Sequence, residues 1–136
     1  MITIIVGLGN PGDKYTGTRH NVGADFIVAV AKSFNITIQP NKKYFGQLGK
    51  GKIGNHELSL LIPDTFMNES GKSVSAFLNF YRIDPSSMLV VHDDLDLPVG
   101  TARYKDGGGH GGHNGLRDII ACLGNKNSFK RLRIGI

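Results

Sequence analysis

The chain opens on a nearly continuous apolar run, Met1 to Leu8, that is rich in β-branched residues and closed by glycine. Such a run suits a strand buried on both faces of an α/β sheet, so a central position is expected. A polar loop, Gly9 to His20, separates it from a stretch in which Val22, Phe26, Val30 and Phe34 recur four residues apart with Ile27 beside them. That spacing predicts a helix with one apolar stripe, and Asn21 stands where its N-cap belongs. Val74, Phe77, Leu78 and Tyr81, and again Leu116, Ile119, Ile120 and Leu123, repeat at i, i+3, i+4 and i+7 and predict two more helices. Strands are expected at Glu57 to Ile62, Met88 to His92, Thr101 to Tyr104 and Phe129 to Ile136, while Lys42 to Asn55, rich in Gly and Lys, reads as a hairpin or mobile loop. Strands alternating with helices, without an internal repeat or a linker, argue for an α/β fold in a single domain over residues 1–136.

Composition narrows the function classes. With 136 residues, 40% of them hydrophobic and 20% charged, the chain is long enough for one sizeable core and is neither disordered nor of membrane type. The formal charge of +5 makes a polyanionic partner plausible without requiring one, since a solvated basic face carries the same excess. The lone Cys122 cannot form an internal disulfide, and its apolar helical surroundings predict a buried, inert thiol. No charged leader precedes a long apolar segment and no run approaches a bilayer span, so a cytoplasmic protein without a membrane partner is expected.

Four polar or glycine-rich segments carry candidate chemistry. Gly7-Leu8-Gly9-Asn10-Pro11-Gly12 follows a strand and matches a dinucleotide fingerprint in form. The following Asp13 to His20 is polar and lacks helical periodicity, so no helix N-terminus is there to meet a pyrophosphate. The better reading is a loop at the carboxyl end of a central strand, where α/β sheets place their sites. It carries Asn10, Tyr15, Arg19, His20 and Asn21, although turns are rich in Asn for conformational reasons too. His92-Asp93-Asp94-Leu95-Asp96 again puts polar side chains after an apolar strand; clustered carboxylates suit a hard cation, or one of them can orient a basic partner. Gly107 to Gly115, with His110 and His113 three apart, lacks the further ligands zinc needs and reads as a backbone that approaches a bulky ligand closely, with Asn114 capping the next helix or projecting its amide. Around Gly71-Lys72-Ser73 there is no P-loop, because Phe66 stands where the first glycine is required, and Ser70 lies outside any G-x-S-x-G elbow. Phe66 and Met67 ahead of Asn68 suit a stacking platform for a base, or simple core packing.

Taken together, Val6-Gly7-Leu8-Gly9-Asn10-Pro11-Gly12, Thr18-Arg19-His20-Asn21, Phe66-Met67-Asn68-Glu69-Ser70-Gly71, His92-Asp93-Asp94-Leu95-Asp96 and Gly107 to Gly115 resemble bacterial peptidyl-tRNA hydrolases in order and spacing from Ile2 to Ile136. The resemblance implies a mixed sheet flanked by helices in α/β/α layers, and hydrolysis of the ester between a peptide and the 3′ end of tRNA. It also implies a monomer acting on peptidyl-tRNA, with no cofactor and no metal. His20 matches the family's general base, Asp93 the carboxylate that favours its basic form, and Asn10 an amide that helps distinguish N-blocked from free aminoacyl esters. Tyr15, Phe66, Asn68 and Asn114 match positions that contact the tRNA end and the peptide. Lys105 and Arg133 match basic residues near the tRNA 5′-phosphate. The family continues past Arg131-Leu132-Arg133-Ile134-Gly135-Ile136, where this chain ends.

The chemistry coheres without the family. An activated ester needs a positioned water, a base titrating near neutrality and donors for a developing oxyanion, which imidazole, carboxylate and amides supply. Lys105, Lys126, Lys130, Arg131 and Arg133 suggest phosphate contacts and hence salt-sensitive tRNA binding. Two rivals use the same residues: a non-catalytic RNA-binding module, and a metal-dependent phosphodiesterase built on His92, Asp93, Asp96 and His110.

Overall fold

The three helices and four strands anticipated from the hydrophobic pattern form a frame around the initial apolar run in a computed structural model, which describes residues 1–10 and 21–136. In chain order the elements are β1 (Ile4–Gly7), α1 (Val22–Ser33), β2 (Gln39–Asn41), β3 (Gly46–Ile53), β4 (His56–Pro63), α2 (Ser70–Tyr81), β5 (Met88–Asp94), β6 (Ala102–Asp106), α3 (Asn114–Cys122) and β7 (Lys130–Gly135). Short 3₁₀ turns at Lys42–Tyr44, Met67–Glu69 and Pro85–Ser87 join them. Among the described residues the strands make one seven-stranded sheet of order β2-β3-β4-β1-β5-β7-β6. β1 lies between parallel partners β4 and β5, and β5 in turn pairs in parallel with β7; β2, β3 and β6 run antiparallel to their neighbours. The expected mixed sheet with a central first strand is therefore present.

The two faces of the sheet are covered differently. Ile4, Val6 and Leu8 point with Leu61, Met88 and Val90 into a core completed by Val74, Phe77 and Leu78 of α2 and Leu116 and Ile119 of α3. On the other face Ala24, Ile27 and Ala31 of α1 pack with Leu58, Leu60 and Ile62 of β4. Alternation along the strands gives each face its own apolar set, and the result is the α/β/α layering. α1 can approach this closely only because Gly23 has no side chain, since a Cβ there would collide with the Val91 carbonyl and the Leu8 backbone. α2 and α3 are tied by the Gly71 N–H donating to Asp118 Oδ2 at 2.7 Å.

Three expectations change. Lys42 to Asn55 is no mobile loop: β3 pairs with β4 along its whole length, joined by Gly54 and Asn55, so the hairpin half of the reading is right. The glycines in β3 make room for a neighbour, because Cβ atoms on Gly49 and Gly51 would strike Ile36. Asn21 occupies the N-cap of α1 but makes no side-chain capping bond, and its Oδ1 is buried beside Gly9 without a partner. Cys122 is exposed rather than buried, at the last turn of α3 with its sulfur towards Gly71 of α2; burial of the sulfur, followed by the nearby Asp118 charge and hydrogen bond, pushes the thiol pKa up. Among the described residues no helix is long and apolar enough to cross a membrane.

Candidate active site

Crossing of α2 over β1, from β4 to β5, creates a switch in chain direction at the carboxyl ends of β1 and β5, where open α/β sheets place their clefts. A cleft of about 530 Å³ opens there, lined by Asn10 beyond β1, Met67, His92 to Asp96, Gly109 to Asn114 and the cations Lys105, Arg131 and Arg133. All four segments singled out from the sequence contribute to its wall, His92 to Asp96 and Gly109 to Asn114 most of it.

Asp93 is the pivot. Its side chain is nearly buried at the end of β5, and Oδ1 accepts a 2.8 Å hydrogen bond from His113 Nε2. The tautomer of His113 follows from its other nitrogen, because Nδ1 accepts the backbone N–H groups of Gly115 at 3.1 Å and Leu116 at 3.2 Å. An atom that accepts two N–H bonds carries no proton, so the proton is on Nε2 and points at the carboxylate. His113, not Asn114, is the N-cap of α3. This corrects the capping alternative for Asn114, whose side chain is exposed on the cleft wall. The Asp93–His113 pair was not anticipated; two histidines in a glycine-rich segment directly ahead of an amphipathic helix were its only signal in the sequence.

His92 packs against this pair with its ring centroid 4.9 Å from that of His113 in an edge-to-face arrangement. Its Nδ1 bonds the Asp93 carbonyl at 2.8 Å, while Nε2 is buried without a partner. Burial pushes its pKa down to about 4, against the smaller opposite effect of the Asp93 carbonyl. His92 is thus a neutral core imidazole near pH 7. A folded-state pKa below the unfolded value means that the unfolded chain binds the extra proton, so stability is full above about pH 6.5 and falls as pH drops towards 4. Thermal unfolding across that range should show this slope in the parent protein and a shallower one in His92→Gln.

The amide of Asn10 is oriented by the chain opposite. Its Oδ1 accepts the Met67 N–H at 2.7 Å, tying the end of β1 to the 3₁₀ turn Met67–Glu69. Asn68, in that turn, and Phe66, its N-cap residue, are exposed on either side of the cleft residue Met67 in sequence. The structure therefore brings together Asn10, Asp93 and Asn114 around one cleft, whereas Asn68 and Phe66 flank the lining residue Met67 without lining the cleft themselves. His20 and Tyr15 lie outside the described residues.

Of the cations, Lys105 is exposed on β6 and lines the cleft. Arg133 is engaged by Asp94, Nε to Oδ2 at 2.7 Å. Burial opposes charge on Asp94, but the Arg133 hydrogen bond, helped by the Asp96 N–H, carries its pKa below the ordinary carboxylate value. Arg131 is the clear correction among the expected phosphate contacts. It is fully buried on β7, stacked 4.4 Å over Phe129, and donates to the carbonyls of Gly109 at 2.6 Å, Gly108 at 2.5 Å and Asn127 at 3.1 Å. It braces a segment in which Gly107, Gly108, Gly111 and Gly112 take positive φ, a conformation that other residues adopt poorly. Lys130 likewise bonds Ser86 O. Arg131→Ala would leave three carbonyls without their charged donor and should cost about 2–4 kcal/mol; a urea titration measures it. The histidines of the rival metal reading are also engaged by backbone: His110 Nδ1 accepts the Gly112 N–H at 2.9 Å, as His92 Nδ1 is held at Asp93.

Comparison with known proteins agrees with this architecture. The profile of the family described as peptidyl-tRNA hydrolase matches residues 4–136. A peptidyl-tRNA hydrolase of Haemophilus influenzae is 59% identical over 99% of this chain and 70% of its own length, and that of Azotobacter vinelandii is 58% identical over the same shares. The crystal structure of peptidyl-tRNA hydrolase from Acinetobacter baumannii superposes with a TM-score of 0.96 at 50% identity, covering 99% of this chain and 68% of that one. A cleft with these side chains at a sheet switch point, on a sequence matched from β1 to its last residue, places the chain in the peptidyl-tRNA hydrolase family.

Proposed function

We propose that this protein hydrolyses the ester joining a peptide to the 3′-terminal ribose of tRNA, with His20 as general base. The observation that carries the reading is the Asp93 carboxylate, fixed by His113 inside the cleft that also holds the Asn10 amide. The names of the relatives supply the substrate class.

In this mechanism His20 takes a proton from a water molecule as the water oxygen attacks the acyl carbonyl. Asp93 holds the imidazole in the right tautomer and stabilises the imidazolium, as a carboxylate does beside a catalytic histidine. Because Asn10 Oδ1 is committed to Met67 N–H, the NH₂ end of its amide is the one that can donate to a substrate carbonyl. Collapse of the tetrahedral intermediate breaks the bond to the ribose oxygen, which takes the proton back from His20. The products are the peptide acid and tRNA. Asn114, Asn68, Phe66 and Tyr15 bind the terminal nucleotide and the first residues of the peptide. Lys105, with Arg133 held by Asp94, meets the tRNA 5′-phosphate.

The test is multiple-turnover release of an N-acetylaminoacyl group from tRNA in the presence of chelator, with free aminoacyl-tRNA as the competing substrate. Release of the blocked group at a rate well above that of the free one is expected. Tight tRNA binding without release would instead identify an RNA-binding module, and loss of release in chelator a metal-dependent enzyme.

A further inference from the structure

We infer that a strip of exposed aromatic rings and lysines, running from the mouth of the cleft along the seam between the Lys42–Tyr44 turn and α2, carries the peptide part of the substrate as an extended chain. The inference rests on the ester hydrolysis proposed above and adds a peptide subsite outside the cleft.

The strip begins at Phe66, 56% exposed and adjacent in sequence to the cleft residue Met67. The segment ahead of Phe66 is tied to Phe45, 40% exposed, through the Asp64 N–H donating to the Phe45 carbonyl at 2.9 Å, and the Phe45 ring centroid lies 4.4 Å from Lys72 Nζ. It continues through Lys43, 3.2 Å over the ring of Phe80, to Lys50, which sits 3.9 Å over Tyr81 and bonds its hydroxyl. Tyr44 is buried beneath, in contact with Phe77, Phe80 and Tyr81, so the outer rings rest on a firm aromatic base. Packing alone gives no reason to leave Phe66 and Phe80 more than half exposed in a row that starts at a cleft, and exposed apolar surface of this kind marks a binding face.

Strand order supplies the direction. Lys105 and Arg133 belong to β6 and β7 on one side of the β1–β5 switch point, whereas the strip borders β3 and β4 on the other. An ester held between them, with its RNA on the Lys105 side, directs its acyl chain towards Phe66 and Phe45. Lysine ammonium groups donate to peptide carbonyls and acidic side chains, and the rings take apolar side chains. From Lys72 to Phe80 the helix rises about 12 Å, which an extended peptide at about 3.3 Å per residue covers with roughly four residues. Lysines interleaved with aromatics also suit single-stranded RNA, but the position opposite Lys105 favours peptide.

Steady-state kinetics on N-acetylaminoacyl-tRNA and on pentapeptidyl-tRNA carrying aromatic and acidic residues tests this in the parent protein, in Lys43→Ala/Phe80→Ala and in Lys43→Glu, which leaves every ring in place. The parent is expected to show a KM for the pentapeptide substrate roughly fivefold to tenfold below that for the N-acetylaminoacyl one, from a few exposed contacts. Both variants should lose that difference while keeping parental kinetics on the short substrate. Equal KM values in the parent, or a difference preserved in the variants, would overturn the subsite. Weaker binding of deacylated tRNA by the variants would overturn it in favour of an RNA surface. Absence of any hydrolysis by the parent would defeat the underlying function, and the strip with it.

Discussion

His20→Ala is expected to fold as the parent does and to lose hydrolysis of N-acetylaminoacyl-tRNA by about 10²–10⁴-fold, the usual contribution of a positioned general base. The described part of the cleft offers no substitute. His92 is buried and kept neutral, with its Nδ1 engaged at the Asp93 carbonyl. His113 has one nitrogen on the α3 backbone and the other on Asp93. His110 is engaged by Gly112. Each of these rings is held by a structural partner, which supports the proposed assignment of proton abstraction to His20. Affinity for deacylated tRNA should change little, since phosphate contacts carry most of it. Single-turnover release by the folded variant, with circular dichroism as the fold control, measures the loss; near-parental rates would remove His20 from the role.

Asp93→Asn should slow turnover by a comparable factor with little loss of stability. The two side chains have nearly the same shape, and an asparagine oxygen can still accept the 2.8 Å bond from His113 Nε2. Its other terminal atom becomes an NH₂ donor, however, where the carboxylate had offered a second acceptor. A basic partner that must donate to that acceptor is then held in the wrong tautomer, a change that costs about 10⁴-fold where a carboxylate orients a catalytic histidine. His113→Gln tests the other side of the pair. It leaves the carboxylate charged but loosens it, so an intermediate loss is expected, together with a lower unfolding temperature from the lost cap of α3. Full activity in Asp93→Asn, at unchanged unfolding temperature, would show that the charge has no part in the reaction.

Much of this arrangement is legible in the sequence. Buried strands and amphipathic helices announce themselves through period, so β1, β4, β5 and all three helices fall where the apolar positions put them. β3 was harder, because Gly46, Gly49 and Gly51 alternate with Lys50 and Lys52 and erase the apolar signal. Those glycines answer to Ile36 and neighbouring backbone across the layer, a tertiary demand that no local pattern encodes. Arg131 and Arg133 look equivalent in a basic stretch and share one face of β7, yet Arg131 is buried in carbonyl contacts beneath the glycine-rich segment while Arg133 is engaged by Asp94, a difference set by tertiary neighbours. His113 and Asn114 were likewise ambiguous, since either type can cap a helix; the choice depends on which one can also reach Asp93. Asn10, Asp93 and Asn114 share one cleft as the segment-by-segment reading implied, although the sequence did not reveal that Asp93 already has an imidazole partner.

In the proposed mechanism the His20 imidazole and the Asp93 carboxylate act as a single device, and a double-mutant cycle on turnover measures that coupling. Groups that work only together lose their effect together. The doubly substituted His20→Ala/Asp93→Asn protein should therefore be no slower than His20→Ala alone. Losses that multiply, so that the double variant is slower by the product of the two single factors, would mean that the two side chains act independently.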